Sequence, residues 1–281
     1  MNNILLKVNK DINLYPNETD GFMGYILGVN TYSICFGVNY SVDIIKKIRE
    51  KYKDKKIYVS LNRVIFNSEL EDYKKVLYEL DSIGLDGIIV GDIAALTYDL
   101  STNIILDQLH LNNSYLTVKH YSNNGVSGIV ITNDINKDDI NKIKEENKNT
   151  LLFKEVFGLP HLSTSRRYLA SNYLKYFNKE NKSNIHLIKE DNIGDYYYVV
   201  EDLFGTHILD SKPLNLLSEI GNINCDYFII DDYLMDNVDL EELIDIYGNR
   251  KIDKNDYINN KYNANDGFIN KKTIYKVKNN D

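Results

Sequence analysis

Three groups of residues carry chemistry by their type and spacing. Ser163-Thr164-Ser165-Arg166-Arg167 sets three hydroxyls beside two guanidinium groups. Read as the opening of a helix, this stretch adds unpaired backbone N–H groups. That combination suits an anion such as a phosphate or carboxylate, with Ser165, Arg166 and Arg167 as donors. Adjacent helical positions diverge by about 100°, so both arginines need not reach one ligand. Further on, Glu201-Asp202 precedes Gly205-Thr206-His207. A histidine near carboxylates can act as base, acid or metal ligand. The third group follows short apolar runs: Asn62 and Arg63, Asp92, His110 and Asn112, Glu155 with His161, and Asp231 with Asp232. Each residue also has an ordinary role. Asp or Asn after a strand caps the next helix, a lone histidine packs in a core, and paired arginines solvate a helix start.

Other chemistries lack their motifs. No Gly-x-Ser-x-Gly elbow occurs, and neither Cys35 nor Cys225 has an activating context. His110, His161 and His207, with Glu155 or Asp231, could meet at one site. However, no short motif such as His-Glu-x-x-His is present, so no metal ligand is assigned.

The elements that must position these residues are short. Apolar runs at 4–8, 25–29, 57–61, 87–90, 104–106, 128–131, 151–156 and 227–230 are rich in Ile, Val and Leu and bounded by Gly, Asn or Asp. Such runs fit strands buried on both faces of a parallel sheet. Amphipathic stretches lie between them, most clearly 69–83 and 42–52, with a weaker one at 135–143. The alternation predicts an α/β fold, a TIM-like (β/α)8 barrel in which catalytic groups sit at the C-terminal strand ends. An open doubly wound sheet is the alternative, although no Gly-x-Gly-x-x-Gly follows an early strand. After strand seven the rhythm breaks. Residues 158–226 form a long insertion, with a helix at 165–177 and a hairpin at 196–200 and 207–209. Insertions of this kind usually build the active-site face. The barrel with its insertion is assigned to residues 1–248, with a closing helix near 240–247. Residues 249–281 are a polar extension with an edge strand at 273–277.

Composition narrows the classes. The chain has 281 residues, 43% hydrophobic and 26% charged, which fits a globular protein. No apolar run reaches the roughly 18–20 residues of a membrane span, and the first residues do not read as a signal peptide. A cytoplasmic, soluble protein is expected. Two distant cysteines supply no disulfide framework and no four-cysteine site. The net charge of −8 argues against non-specific nucleic-acid binding, although a local basic patch could still bind. Tyr, Lys, Asn and Ile are so plentiful that an isolated one says little.

Several stretches are also similar to a known family. Lys56-Ile57-Tyr58-Val59-Ser60-Leu61-Asn62 and Leu80-Asp81-Ser82-Ile83-Gly84-Leu85-Asp86-Gly87-Ile88-Ile89-Val90-Gly91-Asp92 resemble the first half of the peptidase U-32 family, the collagenase-like proteases. Glu155-Val156-Phe157-Gly158 through Ser165-Arg166-Arg167-Tyr168-Leu169-Ala170-Ser171-Asn172-Tyr173 resembles its central motif. Glu201–Leu209 and Phe228-Ile229-Ile230-Asp231 resemble its later ones. Gly267-Phe268 and Lys272-Thr273-Ile274-Tyr275-Lys276-Val277 resemble the end of short Firmicutes-type members. The likeness covers almost the whole chain.

The resemblance implies a TIM-like barrel with the 165–177 helix beside its mouth. Together with the strand-end rule, it gives an expected catalytic set of Glu155, His161, His207 and Asp231. Ser165, Arg166, Arg167, Thr206, His110 and Asn62 form the expected substrate- or anion-binding set. The family name implies proteolysis, yet several members are linked to hydroxylation. These include prephenate-dependent formation of 5-hydroxyuridine at the tRNA wobble position and anaerobic ubiquinone hydroxylation. Many members carry an iron–sulfur cluster on four cysteines. This chain departs from them, with Tyr168 where they have a cysteine and only Cys225 near the later positions. It most resembles the short, cysteine-poor tRNA-hydroxylation proteins, which can occur beside a longer paralogue. The implied function is a tRNA-modification factor, with tRNA and a longer paralogue as partners and prephenate as co-substrate. The alternatives are a peptidase and a non-catalytic subunit of a paralogue complex.

Overall fold

A computed structural model describes residues 3–16, 21–191 and 196–272, without the side chain of His110. Eight parallel strands form the barrel: Ile4–Lys7, Gly24–Val29, Lys56–Leu61, Gly87–Val90, Ile104–Leu106, Gly128–Ile131, Leu151–Gly158 and Tyr227–Asp231. The first pairs with both the second and the eighth, and this closes the ring. All eight expected runs are these strands. The 273–277 run lies outside the described residues.

Connections follow the barrel pattern. Helices Val42–Lys51, Leu70–Asp81, Tyr115–Asn123, Lys137–Glu146 and Leu240–Gly248 each follow a strand and turn an apolar stripe onto it. Ser41, Ser114, Asn136 and Asp239 cap four of these helices by accepting a backbone N–H. Strands one and four are followed by single 3-10 turns, Ile12–Leu14 and Ile93–Thr97.

Strand period sets what fills the barrel. Leu5, Ile26, Tyr58, Ile89, Ile105, Phe153 and Ile229 make one buried layer inside it, with Val130 packed against them. Side chains two positions on point the same way. The next layer toward the C-terminal end is therefore Lys7, Gly28, Ser60, Gly91, Asp107, Thr132, Glu155 and Asp231. An apolar floor carries a polar layer directly above it.

The insertion leaves strand seven as a four-stranded antiparallel sheet, ordered Ile185–Lys189, Tyr196–Asp202, Gly205–Asp210, His161–Ser165. The expected helix start at Ser165 is wrong. Ser165 and Thr164 are paired in a strand, opposite Thr206 and His207, and the helix runs Leu169–Tyr176. Ladder pairing with Gly205–Asp210 overrides the local helix-start signal of a hydroxyl-rich stretch. The sheet sits on the C-terminal mouth through a small core of Ile34, Cys35, Leu159, Val200, Leu209 and Tyr233. In the C-terminal segment, helix Asn255–Tyr262 meets Asn215, whose amide donates to Asn259 at 2.7 Å.

Candidate active site

The polar layer and the insertion enclose a cleft of about 160 Å³ at the barrel mouth. Glu155 lies on its floor. One oxygen, Oε2, accepts from Asn133 Nδ2 at 2.9 Å. The other, Oε1, meets no donor among the described residues. Burial, helped by the nearby Asp231 charge, pushes the Glu155 carboxyl up to about 7, against the Asn133 hydrogen bond. Lys154 donates to the oxygen of Asn133 and to Thr132 O, so the amide is oriented with its nitrogen toward Glu155.

Lys7 and Asp231 face each other across the closure of the barrel, Nζ to Oδ2 at 2.7 Å. Burial opposes the charge on Lys7, but Asp231 together with Cys35 and Glu155 outweighs it and holds the ammonium above its ordinary value. Asp231 Oδ1 also accepts from Asn9 Nδ2 and Tyr233 N, at 2.8 and 2.9 Å. Asp107 lines the same cleft, and burial raises its carboxyl. Five carboxyl groups line the cleft, on Asp107, Asp134, Glu155, Asp210 and Asp231. Lys7 is the sole lysine or arginine among the described lining residues. Such a lining favours cations and N–H donors over anions.

The structure brings together Glu155, Asp231, His161 and Asn62 on the cleft wall. Asn62 holds backbone: it accepts from Ile34 N at 2.9 Å and donates to Ile34 O at 3.2 Å, pinning the loop that carries Cys35. His207 is fully buried behind the wall. Its Nε2 lies 3.2 Å from Asp202 Oδ1, and its Nδ1 lies 3.0 Å from Thr164 Oγ1. That hydroxyl is also 2.8 Å from His161 Nε2.

The expected anion site does not form at the mouth. Helix Leu169–Tyr176 has its first N–H groups engaged inside the protein. Leu169 N donates to Thr206 Oγ1 at 2.9 Å, and Ala170 N and Ser171 N donate to the Glu201 carboxylate at 3.0 and 3.2 Å. Glu201 is the anion at this helix N-terminus, and Thr206 is its companion. Arg166 donates to Val64 O at 3.1 Å and stacks 4.1 Å from the Phe66 ring centroid. Arg167 is exposed, and the Ser165 hydroxyl accepts from its N–H at 3.3 Å. Neither arginine lines the cleft. The backbone of His110 is in the turn Leu109–Leu111, and its side chain lies outside what is described. Asp92 is a cap, accepting from Ala94 N at 2.9 Å. Arg63 forks onto Glu69 at 3.0 and 2.7 Å.

Sequence reading missed Lys7, Asp107, Asn133 and Cys35. Lys7 ends strand one, and Asp107 follows strand five directly, so the strand-end rule covers both. Lysine is background in so lysine-rich a chain, and Asp107 stands three residues before the more conspicuous His110.

The model of peptidase family U32 matches residues 26–280. The chain belongs to peptidase family U32. Among curated proteins, the uncharacterized protease MJ0090 of Methanocaldococcus jannaschii is 26% identical over 184 residues. The match covers 60% of this chain and 44% of that protein. The chain thus spans less than half the length of this curated relative. Among solved structures, the U32 peptidase Mk0906 aligns with a TM-score of 0.46 at 13% identity, over 57% of this chain and 70% of that one. Orotidine 5'-monophosphate decarboxylase from Methanocaldococcus jannaschii aligns with a TM-score of 0.51 at 12% identity, over 89% and 98%. At that identity the second likeness is one of fold, the closed parallel barrel. The cluster of four cysteines seen in many U32 members does not fit here. The sequence has two cysteines, with Cys35 in the mouth and Cys225 just ahead of strand eight, at the opposite end. Among the described residues no helix is long and apolar enough to cross a membrane.

Proposed function

We propose that this U32 protein is a tRNA-modification factor in 5-hydroxyuridine formation at the wobble position, and that its mouth cleft receives the target base. The size and polarity of the cleft carry this reading. About 160 Å³ holds one planar ring rather than an extended peptide, and the floor offers Glu155 with an unengaged oxygen. A flipped pyrimidine brings an N–H donor and carbonyl acceptors, the complement of carboxyls beside a lysine. The Arg166–Phe66 stack and the exposed Arg167 lie outside the cleft, where flanking phosphates and bases would pass. The carboxyls around Lys7 oppose a dicarboxylate. In this reading prephenate is held by a longer paralogue acting with this chain.

The test is mass spectrometry of bulk tRNA nucleosides from a deletion strain. The expected result is a loss of 5-hydroxyuridine and its derivatives, restored by the wild-type gene and not by Glu155→Gln. Unchanged levels in the deletion strain refute the reading. A peptidase reading has one observation in its favour: Glu155 Oε1, buried and unengaged on the cleft floor, is placed to take a proton from water. Gelatin and peptide-library cleavage by purified protein, lost in Glu155→Gln, would support it instead.

A further inference from the structure

One cluster at the mouth has no part in that reading. Cys35 Sγ, a ring nitrogen of His161 and a ring nitrogen of His207 lie within 4.8 Å of one another. They come from three distant segments: the loop after strand two, the start of the insertion and its fourth strand in chain order. We propose that these three side chains bind a single zinc-class divalent cation, with the fourth position open to the cleft.

Four observations support the site. First, the donor set is a thiol and two imidazoles, which selects zinc or a similar borderline ion over magnesium or calcium. Second, the carboxylate of Asp202 accepts from His207 Nε2 at 3.2 Å. That contact keeps the proton on Nε2 and leaves the Nδ1 lone pair, 3.0 Å from Thr164 Oγ1, to take up a metal, as an outer carboxylate does for zinc-binding histidines. Third, Cys35 holds a left-handed backbone, φ +57°, which a non-glycine residue adopts only when its surroundings impose it. Asn62 clamps the preceding residue, Ile34, on both backbone atoms and so fixes the loop that presents the thiol. Fourth, the acidic cleft lowers the cost of placing a cation there.

Zinc bonds of about 2.0–2.3 Å place donors roughly 3.3–3.7 Å apart. The three groups therefore close in by about an ångström on binding, within reach of side-chain rotation. The Thr164 hydroxyl, which touches both imidazoles, turns aside. A thiol of ordinary acidity, about 8.5, is protonated at neutral pH without metal. Binding then releases one proton as the thiolate forms. Three protein donors and one open position are the arrangement of catalytic rather than structural zinc sites.

The test uses the full chain, stripped with chelator and titrated with zinc chloride or cobalt chloride. The expected result is one equivalent bound, one proton released in weak buffer, and a cobalt spectrum with a thiolate charge-transfer band and tetrahedral d–d bands. Cys35→Ser should abolish the charge-transfer band and weaken zinc binding at least 100-fold. Cys225→Ser, at the other end of the barrel, should match wild type. His207→Gln should weaken binding similarly. Should that variant fail to fold, the wild-type cobalt spectrum decides alone, because a site without Cys35 gives no thiolate band. Absence of that band, or unchanged binding in Cys35→Ser, overturns the proposal. The readout is metal binding and not tRNA modification, so its outcome is separate from that of the proposed function.

Discussion

Replacing Glu155 with glutamine should change how stability depends on pH, in a direction and amount set by its place on the barrel floor. The carboxyl is raised from an ordinary 4.5 to about 7 by burial and by Asp231. A raised carboxyl favours folding while it is protonated. That contribution is complete below 4.5 and is lost as pH climbs through about 7, because the unfolded chain then ionises more readily than the folded one. Each tenfold change in proton affinity is worth about 1.4 kcal/mol, so the whole effect is on the order of 3 kcal/mol. Glutamine keeps the acceptor for Asn133 and cannot ionise. Urea unfolding of both proteins between pH 4.5 and 8.5 measures the difference. Wild type should lose stability relative to the variant on the order of 3 kcal/mol across this range, most of it before pH 7. A wild-type-minus-variant difference that stays constant with pH, within about 0.5 kcal/mol, would refute the placement of this carboxyl in a desolvated site beside Asp231.

Gly158→Ala should destabilise by about 2 kcal/mol or more in urea unfolding. At φ +147° its Cβ would stand 2.6 Å from Glu155 Oε1 and 2.8 Å from Asp231 O. Glu201→Ala should speed amide exchange at Ala170 and Ser171, corresponding to about 1–2 kcal/mol, because it removes the carboxylate that caps this helix. Although burial opposes its charge, Ser171 hydrogen bonds hold the Glu201 carboxyl below its ordinary value, so its contribution is present at neutral pH and fades on acidification. Arg63→Lys should cost about 3 kcal/mol by thermal or urea unfolding. Arg63 is only 2% exposed, forks onto Glu69 and stacks 4.8 Å from the Phe204 ring centroid, and an ammonium cannot reproduce the fork.

The barrel was legible because its strands are buried on both faces. Such strands leave continuous Ile, Val and Leu runs that need no knowledge of their partners, and each run matches a strand to within one or two residues at most ends. The insertion was legible as an interruption and misread in detail. Ser163 to Arg167 has the residues of a helix start, and only the distant Gly205–Asp210 strand makes it a ladder. Glu155, Asp231, His161 and Asn62 could be placed at the mouth from their positions after apolar runs. Their company could not. The Lys7–Asp231 pair, the Asn133 amide on Glu155 and the Cys35–His161–His207 cluster each join segments that local patterns do not connect.

The ring closes by pairing its first strand with its last, and this bears on when the site can exist. Lys7 and Asp231 are 224 positions apart. At about 5–20 residues per second, a ribosome needs roughly 10–45 s to travel between them. Until strand eight is made, strand one has no partner for one of its edges, and its lysine lacks the carboxylate that completes the cleft. No amino-terminal fragment ending before strand eight can hold this site. The mouth therefore becomes chemically competent in one late event, the same event that removes the last exposed edge of the sheet.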